Sequence, residues 1–110
     1  MTKSDNQVLN EKLNNFEKRC DEFLATLQSM KILNLNLPTP QEAVIDVYSA
    51  DWKIFHNDLL AMIERYKGDL GRDFERFILM FHKATQYPNY QNISDLKVSI
   101  YSLKNYIEDT

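Results

Sequence analysis

The sequence predicts an all-α protein, a four-helix bundle of the up-down type whose helices are joined by short loops and one extended crossover at residues 32–38. Only 2 glycines and 3 prolines occur among 110 residues, too few for a chain built from hairpins and tight turns. Apolar residues make up 44% of the chain, which is enough to form a core. Four segments repeat their apolar residues at the three-and-four spacing of amphipathic helices. At this length we expect a single domain over residues 1–110.

The first predicted helix has the most regular apolar pattern. It begins near Ser4 or Asp5, either of which can cap free backbone amides, and ends near Met30 or Lys31. Its apolar residues alternate at spacings of four and three, and they are Leu9, Leu13, Phe16, Cys20, Phe23, Leu27 and Met30. This spacing places them on one narrow stripe, which must be buried against other helices.

The segment from Ile32 to Pro38 alternates apolar and polar residues and ends in a proline. We interpret it as the extended crossover between helices 1 and 2. A β-strand is the alternative, although no partner strand is evident and a lone strand is not stable.

The second predicted helix begins at Thr39, with Pro40 at its first position and Glu42 placed to complete a capping box. It ends at Gly68, which suits the left-handed turn that closes a helix. Its apolar stripe consists of Val44, Tyr48, Trp52, Phe55, Leu59, Met62 and Tyr66.

The third predicted helix begins near Asp69 or Leu70 and ends at Tyr87, because the following Pro88 disfavours helical geometry in the residue before it. The short connection to helix 2 indicates an antiparallel or steeply crossing pair. Its stripe consists of Leu70, Phe74, Phe77, Phe81 and Ala84.

The fourth predicted helix is capped by Asn92 or Ser94 and continues to the C-terminus. Its stripe consists of Leu96, Ile100, Leu103 and Ile107. Four such helices suit an antiparallel bundle. The alternative is a long hairpin of helices 1 and 2 with a smaller helical cap.

Charge and cysteine content exclude several classes of function. Thirteen basic and 16 acidic residues give a net charge of -3, and no basic cluster is dense enough for nucleic acid. The same lack of a basic amphipathic segment argues against a membrane partner. Cys20 is the single cysteine, so no disulfide can form within the chain, which favours a reducing compartment. With neither a signal peptide nor a spanning segment in the sequence, we expect a cytoplasmic protein.

The sequence contains no recognisable catalytic constellation. A helical metal site commonly uses Glu-x-x-His pairs, and neither His56 nor His82 belongs to one. Cys20 lies within an apolar stripe, where we expect a core residue rather than a nucleophile. We therefore predict no enzyme activity and no catalytic, cofactor or metal site. The competing hypothesis is an enzyme or metal protein that uses both histidines with nearby carboxylates.

Helix 2 carries a second apolar stripe, opposite the first, formed by Ala43, Val47, Ala50, Ile54 and Ala61. A surface helix normally has one apolar face. Two faces indicate either that helix 2 is packed on both sides within the bundle, which we favour, or that its second face meets another chain.

We therefore predict a non-enzymatic protein that binds a protein partner through a helical face, as an inhibitor or immunity-type factor, an adaptor or a small subunit of an assembly. The candidate contacts are apolar or aromatic residues outside the main stripes, namely Val47, Ala50, Ile54, Leu79, Tyr87, Tyr90, Val98 and Tyr101. The alternative function is self-association, as a homodimer through helix 1 or helix 2.

Overall fold

The protein is a bundle of four α-helices in the computed structural model, which describes residues 5–33, 44–66 and 71–109. The helices are α1 (Asp5–Leu33), α2 (Ala50–Tyr66), α3 (Arg72–Gln86) and α4 (Tyr90–Asp109). Over the described ranges, β-structure is confined to one isolated bridge, between Val44 and Asn89. The predicted all-α four-helix bundle is confirmed.

Helices α1 and α4 run antiparallel along a long contact. Lys104 Nζ lies 2.8 Å from Glu17 Oε2, and Lys97 pairs with Asp21 nearer the other end. As the residue number increases along α1, the number of the facing residue on α4 decreases, which defines an antiparallel pair. Helix α3 packs closely on α4 as well.

Helix α2 is joined to its neighbours by aromatic side chains. The Phe55 ring lies 6.2 Å from that of Phe16 and 5.1 Å from that of Phe23, both edge to face, a favoured geometry for aromatic pairs. On its other side, the His56 ring stacks on Phe81 of α3 at 5.3 Å. Each helix thus contacts two others, as in an up-down bundle.

The α1 stripe forms one wall of the core. Leu9, Leu13, Phe16, Cys20 and Leu27 are all buried, and Phe23 packs partly buried against them. The other helices contribute their predicted stripes, including Trp52, Phe55, Leu59, Met62, Phe74, Phe77, Phe81, Ala84, Leu96, Ile100, Leu103 and Ile107. The predicted heptad stripe of helix 1 is therefore an internal feature of the bundle.

Helix α1 is slightly longer than predicted. It continues through Ile32 and Leu33, so the prediction of an extended crossover is wrong for these two residues. The remainder of that segment lies outside the described residues, as does the predicted capping box at Thr39, Pro40 and Glu42.

The predicted start of helix 2 is wrong, because residues 44–49 are not helical. Val44 forms the bridge with Asn89, and the backbone amide of Ile45 donates to Pro88 O at 3.0 Å. Ile45 is itself buried. This segment is held by the turn between α3 and α4, and hydrogen bonds to that turn replace those of a helix.

Helix α2 begins instead at Ala50, with Ser49 as its N-cap. Ser49 Oγ accepts from the backbone amide of Trp52 at 3.3 Å, and Ser49 O accepts from that of Lys53 at 3.1 Å, a pattern typical of an N-cap serine. Because Tyr48 lies before the helix, its side chain is 80% exposed and does not join the stripe.

Helix α3 begins at Arg72, directly after Gly71. The predicted starts at Asp69 and Leu70 lie outside the described residues. The helix ends at Gln86, so the predicted termination at Tyr87 is confirmed.

Helix α4 is capped by Asn89 rather than by Asn92 or Ser94. Asn89 Oδ1 accepts from the backbone amide of Asn92 at 2.8 Å, which is the usual N-cap bond to the third helical residue. The Asn92 side chain instead donates to Tyr87 O at 2.7 Å. Asn92 thereby joins the start of α4 to the end of α3.

Candidate functional site

The candidate site is a groove of about 570 Å³ between α1 and α4, here called the α1–α4 groove. Because α1 and α4 are antiparallel neighbours, their outward-facing residues next to the core form its two walls. The lining residues are Glu17, Asp21, Leu24, Ala25 and Gln28 of α1, and Tyr90, Ser94, Lys97, Val98 and Tyr101 of α4.

The α1–α4 groove has apolar and aromatic side chains on both walls. Leu24 and Tyr90 pack partly buried against the core, while Val98 and Tyr101 are 55% and 54% exposed. Tyr90 is positioned by a hydrogen bond in which Gln28 Nε2 donates to its hydroxyl oxygen at 3.1 Å. Apolar and aromatic surface is therefore available to a ligand between Tyr90 at one end of the groove and Tyr101 further along α4.

Two ion pairs between α1 and α4 lie along the groove. Lys97 pairs with Asp21, and this hydrogen bond raises the pKa of the Lys97 ammonium above its ordinary value. Lys104 pairs with Glu17, and both side chains are largely shielded from solvent. Because both acids of the groove have a cationic partner, the groove has little net charge with which to attract a charged ligand.

The structure brings some of the predicted contact residues together and separates others. Tyr90, Val98 and Tyr101 meet in the α1–α4 groove. Val47 lines a different depression, between α2 and α3. The remaining predicted contacts lie on exposed surface outside the α1–α4 groove, namely Ala50, Ile54, Leu79 and Tyr87.

The second apolar stripe predicted on helix 2 is shorter than expected. Val47 lies in the turn before α2, and Ala43 lies outside the described residues. The part that is helical, Ala50, Ile54 and Ala61, is exposed. Over the described residues this face is therefore not packed inside the bundle, contrary to the explanation that we favoured.

Sequence reasoning missed the α1 wall of the groove. Glu17, Asp21, Leu24 and Gln28 follow a four-three-four spacing immediately beside the core stripe of α1. Tyr90, Ser94, Lys97 and Tyr101 repeat the same spacing on α4. Two sets of residues at this spacing, each beside a core stripe, indicate the groove only when α1 and α4 are known to be neighbours.

The three side chains considered for catalysis or metal binding are His56, His82 and Cys20. His56 is partly buried against Phe81, and His82 is exposed. Cys20 is buried, as predicted; mainly because of this burial, and then because of the nearby Asp21 carboxylate, its pKa rises to about 12. Within the described ranges, no group of three histidine, cysteine or acidic residues could hold a metal ion.

The fold places this chain in the class of small all-α bundles with an open inter-helical groove. No protein-family model matches the sequence, nor does any curated protein or solved structure. Among the described helices, none is long and apolar enough to cross a membrane.

Proposed function

We propose that this chain is a non-enzymatic protein that binds another protein, and that the α1–α4 groove receives a helical segment of that partner. The observation that carries the proposal is the gathering of Tyr90, Val98 and Tyr101 in one groove whose acidic side chains are already paired with lysines. A partner would be recognised mainly through apolar and aromatic contacts.

The composition of the groove supports this proposal. Protein interfaces are enriched in tyrosine and other large side chains, and two tyrosines, Tyr90 and Tyr101, line this groove together with Val98. Tyr90 and Tyr101 are separated by three helical turns, about 16 Å along α4. That length suits a partner helix that lays its apolar face between two helices.

The physiological role within this class is an inhibitor or immunity-type factor, an adaptor or a small subunit of an assembly, acting in the cytoplasm. The single cysteine supports a reducing compartment, because it leaves the chain without an internal disulfide. All three roles require a surface that binds without performing chemistry.

Site-specific photo-crosslinking in the native host tests the proposal. A photoreactive phenylalanine analogue replaces Tyr101 in one variant and Val98 in another. We expect both variants to form a covalent adduct with the same protein. The mass of the adduct should differ from that of two crosslinked copies of this 13.0 kDa chain. The adduct should disappear when Leu24→Asp, which places a charge in the groove, is added.

Leu79 provides the matched control, because it is 57% exposed but lies on α3, outside the groove. The same analogue at Leu79 should give no adduct with that protein. An equal yield from Leu79 and Tyr101, or no adduct from either groove position, would contradict the proposal.

Self-association is the second candidate function, and it is supported by the exposed face of α2. Ile54 is 54% exposed there, beside the small residues Ala50 and Ala61. The apolar stripe of α1 is buried in the core, so α2 is the helix that supports this candidate. Light scattering should then show a dimer that Ile54→Asp dissociates, whereas a 13.0 kDa species at every concentration would exclude a dimer.

A further inference from the structure

A second groove, of about 500 Å³, lies between α1 and α2 and is here called the α1–α2 groove. Phe16 and Met62, both buried, form its floor. Its walls carry three cationic side chains, Lys12, Arg19 and Arg65, and a single acidic one, Asp58. This excess of positive charge is local, because the whole chain has a net charge of -3.

One of the three cations already has a partner. Arg19 Nη1 donates to Asp58 Oδ2 at 2.9 Å, and the Arg19 guanidinium lies 5.4 Å from the centre of the Phe55 ring. Neither Lys12 nor Arg65 forms an ion pair within the described part of the chain. Among the described residues, two positive charges of the α1–α2 groove thus have no ionic partner.

The antiparallel register brings these two charges to the same end of the groove. Arg19 of α1 meets Asp58 of α2. Lys12 lies two helical turns before Arg19, and Arg65 lies two turns after Asp58, so both lie about 10 Å from that pair. The guanidinium of Arg65 also lies over the Tyr66 ring, 5.6 Å from its centre. Two cations therefore line one end of the groove together.

The described ion pairs between helices use other cations than Lys12 and Arg65. Arg19 pairs with Asp58, Lys97 with Asp21, and Lys104 with Glu17. The end of the groove with Lys12 and Arg65 has no such pair in the described part of the chain, so an anion placed between these two cations would be attracted by both.

We infer that the α1–α2 groove binds carboxylates of an acidic segment in a protein partner, with Lys12 and Arg65 as the main contacts. Arginine binds carboxylates through two parallel hydrogen bonds, and Arg65 is already oriented on Tyr66. Nucleic acid fits less well, because it needs a long basic stripe, whereas Asp58 interrupts this one.

Fluorescence anisotropy at low ionic strength tests the inference, with fluorescein-labelled octaglutamate as the probe. The double variant Lys12→Gln/Arg65→Gln should bind it at least tenfold more weakly than the unchanged protein. The control is Lys18→Gln/Arg76→Gln, which removes the same charge from exposed positions outside the groove. Its affinity should stay within threefold of that of the unchanged protein.

Three results would overturn the inference: equal affinity of both double variants, no binding by the unchanged protein, or tighter binding of labelled oligothymidylate than of octaglutamate. Since Lys12 and Arg65 are exposed, the variant should keep its melting temperature, and the single variant Lys12→Gln should show a threefold loss on its own. The α1–α4 groove contains neither residue, so this test and the crosslinking test can fail independently.

Discussion

Replacing Leu13 with alanine should destabilise the protein by about 3 kcal/mol. Leu13 lies in the α1 stripe, and its side chain is 0% exposed. The Leu13→Ala substitution removes about three carbon atoms from the core. At about 0.8 kcal/mol for each buried methylene, their loss costs roughly 2.4 kcal/mol. The cavity that remains adds a further cost, which brings the total into the usual range of about 2 to 5 kcal/mol for buried leucines.

Urea denaturation followed by far-ultraviolet circular dichroism measures this loss directly. The urea concentration at the midpoint of unfolding should fall, while the slope of the unfolding free energy against urea concentration stays unchanged. The melting temperature should fall by about 13 °C. The neighbouring Asn14→Ala is the control, because Asn14 is exposed, and its effect should stay within about 0.5 kcal/mol. A loss below about 1 kcal/mol for Leu13→Ala, or equal losses for both variants, would refute the packing of α1 described above.

Two further predictions concern Cys20 and the cap of α4. The pKa of the Cys20 thiol is 9.0 in the unfolded chain, and burial raises this pKa to about 12 in the folded protein. The free energy of unfolding should therefore fall as the pH rises above 9, by about 1.4 kcal/mol at pH 10, and urea titrations of Cys20→Ala at pH 8 and 10 should lack this component. Asn89→Ala removes the 2.8 Å bond to the Asn92 amide and should cost about 1 kcal/mol in thermal melts; an equal loss for Asn105→Ala, at an exposed position inside α4, would argue against the cap.

The core stripes could be predicted from the sequence because each depends on the period of one helix. Leu13 and Cys20 of α1 are buried as their spacing predicts, and so are Phe77 of α3 and Ile100 of α4. Apolar residues at helical spacing must find a common apolar environment, whichever helices supply it. The end of α3 before Pro88 was predictable for an equally local reason.

The start of α2 could not be predicted in this way. Val44 and Tyr48 continue the helical spacing, yet the chain there follows the α3–α4 turn through the bond from Ile45 to Pro88. That contact joins residues far apart in sequence. Local capping preferences amount to about 1 kcal/mol, so a non-local contact of this kind can outweigh them.

The candidate contact residues were also only partly predictable from the sequence. Tyr90, Val98 and Tyr101 could be singled out as apolar residues outside the α4 stripe. Their common location opposite Leu24 could not, because it depends on α1 being the neighbour of α4. Leu79 is also apolar and exposed, but it lies on α3, outside the α1–α4 groove.

The sequence by itself determined that this protein is helical, which residues form most of its core, and that an apolar surplus exists outside that core. The tertiary structure alone decided where that surplus collects, where α2 begins, and that Lys12 and Arg65 line the same groove. The physical reason is the range of the interactions. Helical periodicity acts over three or four residues, whereas a groove or a pair of like charges exists only once two helices have packed side by side.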